Sequence, residues 1–137
     1  MNNPPRLLVV EDSPTNQMIF RDILTLEGYV VREATTAEEA FAIARSEPLD
    51  LILMDVQLPG MDGFDAVQIL KGDPATRLIP IVALTAHALQ PHRERAMKVG
   101  CDGYITKPIR AKTFRDTIRS LISSKERPDE KAEDPGR

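Results

Sequence analysis

The sequence predicts an α/β domain of five βα units, folded as a doubly wound parallel sheet with helices on both faces. Short apolar runs alternate about five times with stretches of helical periodicity. Some of these runs, such as Leu51-Ile52-Leu53-Met54, are apolar throughout rather than alternating, as strands buried on both sides are. The 137 residues are enough for one domain with a real core and leave no room for a second. Parallel neighbours require right-handed crossovers, which send the helices to both faces of the sheet.

The elements follow in order. The first strand is read at about Leu7 to Glu11. Ser13 can cap the next helix with Pro14 at its first position, and Ile19, Phe20, Ile23, Leu24 and Leu26 form its expected inward stripe. Gly28 stops it. Tyr29 to Glu33 reads as a second strand, rich enough in polar residues to be the sheet edge. Thr36-Ala37-Glu38-Glu39 is a capping box that opens a helix burying Ala40, Phe41, Ile43 and Ala44.

The third strand runs from Asp50 to Asp55 and gives way to a Pro- and Gly-rich turn, Val56 to Gly63. A helix from about Phe64 to Lys71 follows, then a loop through Gly72-Asp73-Pro74. The fourth strand is Ile81 to Thr85. The helix near Gln90 to Val99 has a poor apolar stripe and is closed by Gly100. The fifth strand is about Gly103 to Thr106, and the last helix packs Phe114, Ile118, Leu121 and Ile122 at i, i+4, i+7 and i+8.

Composition excludes several classes of function. No apolar stretch approaches the ~18 to 20 residues of a membrane span, and the start, Met1-Asn2-Asn3-Pro4-Pro5, has no charged leader before an apolar segment. The single Cys101 rules out an internal disulfide framework and fits a reducing cytoplasm; it reads as a small apolar filler. A net charge of −3 gives no general attraction to nucleic acid or anionic lipid. Residues 1–5 read as a lead, 6–124 as the folded domain, and 125–137 as a charged tail too poor in apolar side chains to order.

Chemistry is concentrated at the strand ends. Asp55 closes the third run, Glu11-Asp12 closes the first, Thr85 the fourth, and Lys107 follows the fifth. Carboxyl ends of parallel strands are where open α/β sheets hold ligands. Singly, an Asp or Thr at such a place is commonly a turn or cap residue. Together, two acids, a hydroxyl and an ammonium around one aspartate suggest more. Clustered carboxylates repel unless a cation lies among them or a proton is shared. Mg2+ (or Mn2+) suits all-oxygen donors, with Asp12 and Asp55 as direct ligands and Glu11 holding a coordinated water. With its charge so offset, Asp55 could act as a nucleophile toward a phosphoryl group, assisted by Lys107 and the Thr85 hydroxyl.

These stretches closely resemble the receiver domain of two-component response regulators. They are Val9-Val10-Glu11-Asp12, Met54-Asp55-Val56-Gln57-Leu58-Pro59-Gly60-Met61-Asp62-Gly63, Leu84-Thr85-Ala86 and Tyr104-Ile105-Thr106-Lys107-Pro108, and the resemblance spans about Arg6 to Ser123. It implies a flavodoxin-like fold with strand order 2-1-3-4-5. It also implies Asp55 as phosphoacceptor from a phosphohistidine donor, Glu11 and Asp12 as metal-binding acids, and the Gln57 backbone carbonyl as a further ligand. Thr85 and Lys107 match the family's hydroxyl and lysine, and the Lys107-Pro108 peptide should be cis. Gln57 and His87 occupy positions that influence how long the phosphoryl group survives, with slow autodephosphorylation expected. Thr85 and Tyr104 would form the switch, altering the face built from the fourth helix, fifth strand and fifth helix.

The expected partners are a histidine kinase or histidine phosphotransfer protein and a downstream protein target, with no nucleic acid or membrane, as a monomer or a weak phosphorylation-linked dimer. Three rivals stand beside this reading. A haloacid-dehalogenase-type phosphatase wants a second Asp two positions after the nucleophile, where Gln57 stands. A phosphorylation-independent module would usually lose an acid or the lysine. A receiver cut from a hybrid histidine kinase shares the Pro14-Thr15-Asn16-Gln17 and Thr85-Ala86-His87-Ala88 stretches; Met1 and the polar tail favour a free-standing regulator. Asp62 and Asp65 read as turn and first-turn helix residues. His92 reads as partly exposed, and Arg93, Arg95 and Lys98 as a solvated or partner-facing basic face.

Overall fold

In the computed structural model, residues 3–86 and 90–126 are described. The expectation for His87, and that for the tail from residue 127 onward, lie outside the described residues, while Lys125 and Glu126, read as the start of that tail, belong to the last helix. Five parallel strands form the main sheet: β1 (Arg6–Val10), β2 (Val30–Ala34), β3 (Leu51–Asp55), β4 (Ile81–Thr85) and β5 (Gly103–Thr106), in the order β2-β1-β3-β4-β5. The fold is thus the predicted flavodoxin-like one, with β2 at an edge. The helices are α1 (Pro14–Leu26), α2 (Ala37–Ser46), α3 (Gly63–Gly72), α4 (Gln90–Val99) and α5 (Ala111–Glu126).

Strand alternation sorts the core into two layers. Leu7, Val9, Leu51, Leu53, Val82, Leu84 and Ile105 face α1 and α5, where they meet Phe20, Leu24, Phe114, Ile118 and Ile122. Leu8, Val10, Ile52, Met54, Ile81 and Ala83 face the other way, toward Ala40, Ala44, Phe64, Val67, Leu70 and Ala96 of α2, α3 and α4. Burying each large side chain contributes about 1.5–3 kcal/mol, so the two layers dominate the stability of the sheet. Phe20 stacks on Phe114 with ring centroids 5.5 Å apart, fastening α1 to α5.

Caps set the helix ends. The Ser13 hydroxyl accepts from the Asn16 amide with Pro14 in the first turn, and α1 stops before Gly28 at φ +92°. The Thr36 hydroxyl accepts from the Glu39 amide, while the Glu39 carboxylate reaches past the cap to the amide and hydroxyl of Thr35. The segment read as a plain turn is a short antiparallel ribbon, Gln57–Leu58 with Met61–Asp62. Pro59 and Gly60 stand at its bend, where Gly60 adopts φ +82°, a conformation that suits glycine at the third position of a type II turn.

The expected inward stripe of α1 needs correction. Ile19 and Leu26 are exposed, at 42% and 87%, and Ile23 is only half-buried. The face that turns in is Gln17, Phe20 and Leu24, spaced i, i+3, i+7. Phe41, Ile43 and Leu121 pack against the core while only half-buried. Cys101 is buried beside the sheet, and burial pushes its thiol up to about 12, consistent with a filler.

Candidate functional site

The register of the sheet carries the polar strand ends to one rim. Val10 pairs with Met54, Asp55 with Leu84, and Thr85 with Thr106. Glu11, Asp55, Thr85 and Lys107 therefore stand in a row where the chain leaves four adjacent strands. Glu11, Asp55 and Thr85 are buried although polar. Asp12 lies outside, exposed.

Carboxylate oxygens of Glu11, Asp12 and Asp55 all lie within 4.8 Å of one another, the only such grouping of potential metal ligands among the described residues. The Lys107 ammonium bridges two of them, donating to Glu11 Oε1 at 3.1 Å and to Asp55 Oδ2 at 3.0 Å. The other oxygens are held by the backbone: Glu11 Oε2 accepts from the Ser13 amide at 3.1 Å, and Asp55 Oδ1 from the Gln57 amide at 2.9 Å. Thr85 enters through its main chain, where its carbonyl accepts from the Lys107 amide at 2.7 Å. The Lys107–Pro108 peptide is cis.

The electrostatics are those of a crowded anionic pocket. Burial holds the Glu11 carboxyl above its ordinary value, and the charge of Asp55 pushes the same way, against the hydrogen bond from Ser13 and the Lys107 ammonium. For Lys107, burial alone would lower the ammonium's value, but the hydrogen bonds to Asp55 and Glu11 outweigh it and hold it raised. One ammonium thus stands among three carboxylates. The donor set is hard, all-oxygen and in excess negative charge, which fits a small divalent cation.

The loop after Asp55 is sewn tightly to it. The Gly63 amide donates to Val56 O at 3.0 Å, and a Cβ at Gly63 would lie 2.3 Å from Val56 Cα and 2.5 Å from Asp55 O, both backbone atoms that cannot yield. Gly63→Ala is expected to destabilise the domain by about 2 kcal/mol or more through this overpacking, measurable by urea unfolding. Asp62 caps α3 by accepting from the Phe64 amide at 2.7 Å, and Asp65 lies in the first turn.

Arg95 is not a freely solvated cation. It pairs with Asp62 at 3.0 Å and Asp65 at 3.5 Å while its guanidinium lies over the Phe64 ring, so it ties α4 to the start of α3. Arg93 lies over the Tyr104 ring at 5.2 Å. Tyr104 itself is half-buried on the α2–α4 side of β5, beside Ala83. His92 is half-buried. Gln57 is exposed at the mouth of the site. Gln17 belongs to the site's frame and was not expected there; its spacing of three and seven residues before Phe20 and Leu24 was the available signal.

Comparison with known proteins agrees with this architecture. The sequence model of the response regulator receiver domain matches residues 7–119. The polar-differentiation response regulator DivK of Brucella anthropi is 40% identical over 119 residues, 87% of this chain and 97% of that protein. The receiver domain of a Pseudomonas aeruginosa sensor histidine kinase, solved with a magnesium ion coordinated in its active-site cleft, superposes with TM-score 0.82 at 34% identity over 89% of this chain and all of its own. A chemotaxis response regulator of Vibrio cholerae gives TM-score 0.82 at 28% identity, covering 87% of this chain and 99% of its own.

Proposed function

The chain belongs to the response regulator receiver domain family of two-component signalling, and from that premise we propose that it is a phosphorylation-dependent switch whose phosphoacceptor is Asp55. One observation carries the reading: a buried aspartate at a strand end lies within 4.8 Å of two further acids and in contact with one lysine. Family membership implies a histidine kinase or histidine phosphotransfer protein as donor.

The residues supply the steps. A carboxylate oxygen of Asp55 attacks the phosphorus of the donor's phosphohistidine, the P–N bond breaks, and the imidazole leaves. The product is an aspartyl phosphate. Lys107 places its ammonium on the phosphoryl oxygens, and the Thr85 hydroxyl donates to another. Glu11 and Asp12, with Asp55 and the Gln57 carbonyl, would hold Mg2+. When bound, the ion offsets the negative charge that otherwise keeps a carboxylate and a phosphoryl group apart. Gln57, exposed two residues after Asp55, would influence access of water to the product.

Output follows from Thr85 and Tyr104. Strand alternation puts both on the α2–α4 side, and Tyr104 pairs with Ala83, two residues before Thr85. If the Thr85 hydroxyl is drawn to the phosphoryl group, space opens on that side of β4, and Tyr104 can move into it from beneath Arg93. The surface of α4, β5 and α5 then changes, which is what a protein target would read.

The deciding experiment is incubation of the wild type with acetyl phosphate and Mg2+, followed by intact mass. One added phosphoryl group is expected; none would overturn the reading. Thr85→Ala is expected to be labelled still but to lose the phosphorylation-linked change in the Tyr104 environment, followed by tyrosine ring NMR. A full Tyr104 response in that variant would break the proposed coupling.

A further inference from the structure

We infer that Gln17 is a positioning residue for the acidic pair, an inference that rests on the reading of Glu11 and Asp12 as Mg2+ ligands. Gln17 lies in the second turn of α1 and is 6% exposed. Its amide Nε2 donates to two main-chain carbonyls, Glu11 O and Ala34 O, each at 2.9 Å. Ala34 O also accepts from the Glu11 amide at 3.0 Å. These bonds tie together the end of β2, the first residue beyond β1 and the body of α1.

Packing alone does not account for an amide here. The neighbours Phe20 and Leu24 on the same face are apolar, and an apolar side chain of equal length would fill the space but leave the Glu11 carbonyl without the bond the amide donates. The amide's Oε1 is buried with no hydrogen-bond partner among the described residues, an arrangement that costs stability. Its use therefore lies in the two donated bonds. The Glu11 carbonyl belongs to the peptide that joins Glu11 to Asp12, so fixing it fixes the backbone from which both carboxylates are aimed. Those carboxylates must converge with that of Asp55, and a hinge at this peptide would let them separate under their own repulsion. Gln17 acts on the site as groups behind metal ligands do, by orienting them rather than touching the ion.

Gln17→Met keeps length and volume while removing both donors and the orphaned acceptor. Calorimetric titration with Mg2+ is expected to show affinity about three- to tenfold weaker than wild type, below the range for losing a bond to a ligand atom itself. The metal-free melting temperature should fall modestly, because the Glu11 and Ala34 carbonyls lose a donor, and labelling by acetyl phosphate should return to near the wild-type rate at saturating Mg2+, because Gln17 touches no reacting atom. Mg2+ affinity within about twofold of wild type (~0.4 kcal/mol) would overturn the inference and leave Gln17 as packing. A lower melting temperature with unchanged affinity would overturn it too. Gln17→Asn, whose amide is one methylene short of the two carbonyls, should show the same weakening and decides the matter if the Met variant does not fold. A wild type that binds no Mg2+ would instead overturn the metal reading itself, a distinguishable result.

Discussion

Asp55→Asn is expected to lower phosphoryl incorporation by at least about a thousandfold, to the limit of detection by intact mass. The substitution is close to isosteric, so the effect is chemical. The asparagine side chain keeps an oxygen where Asp55 Oδ1 accepts from the Gln57 amide, but an NH2 group replaces the Oδ2 that meets Lys107 at 3.0 Å. A neutral amide cannot attack phosphorus as a carboxylate does. Neither remaining acid substitutes for it, since Glu11 is held by the Ser13 amide and Lys107, and Asp12 lies at the exposed side of the cluster. Two accompanying changes separate this account from simple damage. Mg2+ affinity should fall because one of three converging carboxylates is gone. The Glu11 carboxyl should titrate closer to its ordinary value, since the charge of Asp55 no longer pushes it up. Carboxyl carbon NMR reports the second, and labelling at the wild-type rate would remove Asp55 from its proposed role.

The convergence of Glu11, Asp12 and Asp55 was legible because parallel sheets put strand ends at one rim, so four apolar runs each ending in a polar group already describe a site. Ile81–Thr85 and Gly103–Thr106 coincide with their read bounds, where Gly, Pro and polar residues punctuate continuous apolar runs. The inward face of α1 was not legible. Hydropathy favours Ile19 and Leu26, whereas Gln17 turns in because two carbonyls await its amide, a fact of tertiary structure. The ribbon after Asp55 has strands of two residues, too short to show a period. The Arg95 tie joins positions thirty residues apart, and local charge patterning made it look like solvated surface.

Lys107→Ala is expected to lower folding stability by about 2–3 kcal/mol at neutral pH without metal, somewhat less than the ~3–5 kcal/mol of a fully buried broken pair because the lysine keeps part of its surface in water. The variant leaves Glu11 and Asp55, buried and mutually repelling, with no ammonium between them. The pH dependence identifies the cause. Glu11 already sits above its ordinary value of 4.5, and losing Lys107, one of the groups that lower it, moves it higher. Between the ordinary and native values the folded protein holds a proton that the unfolded chain has released, so stability falls as pH rises through that window. The deficit of the variant should therefore shrink as pH is lowered toward 4.5 and be largest above the raised value, as urea unfolding across pH would show. Mg2+ should narrow it as well. Either protein gains about 2.7 kcal/mol at a hundredfold excess over its own dissociation constant, and the variant, whose carboxylates have no ammonium to share, should bind the cation more tightly and so gain more at a given concentration. Stability restored by metal should not restore chemistry. Even with Mg2+ saturating, labelling by acetyl phosphate is expected to stay about a hundredfold slow, because the ammonium that meets the phosphoryl oxygens is absent. A deficit independent of pH and of Mg2+ would mean that Lys107 supports the fold by packing alone.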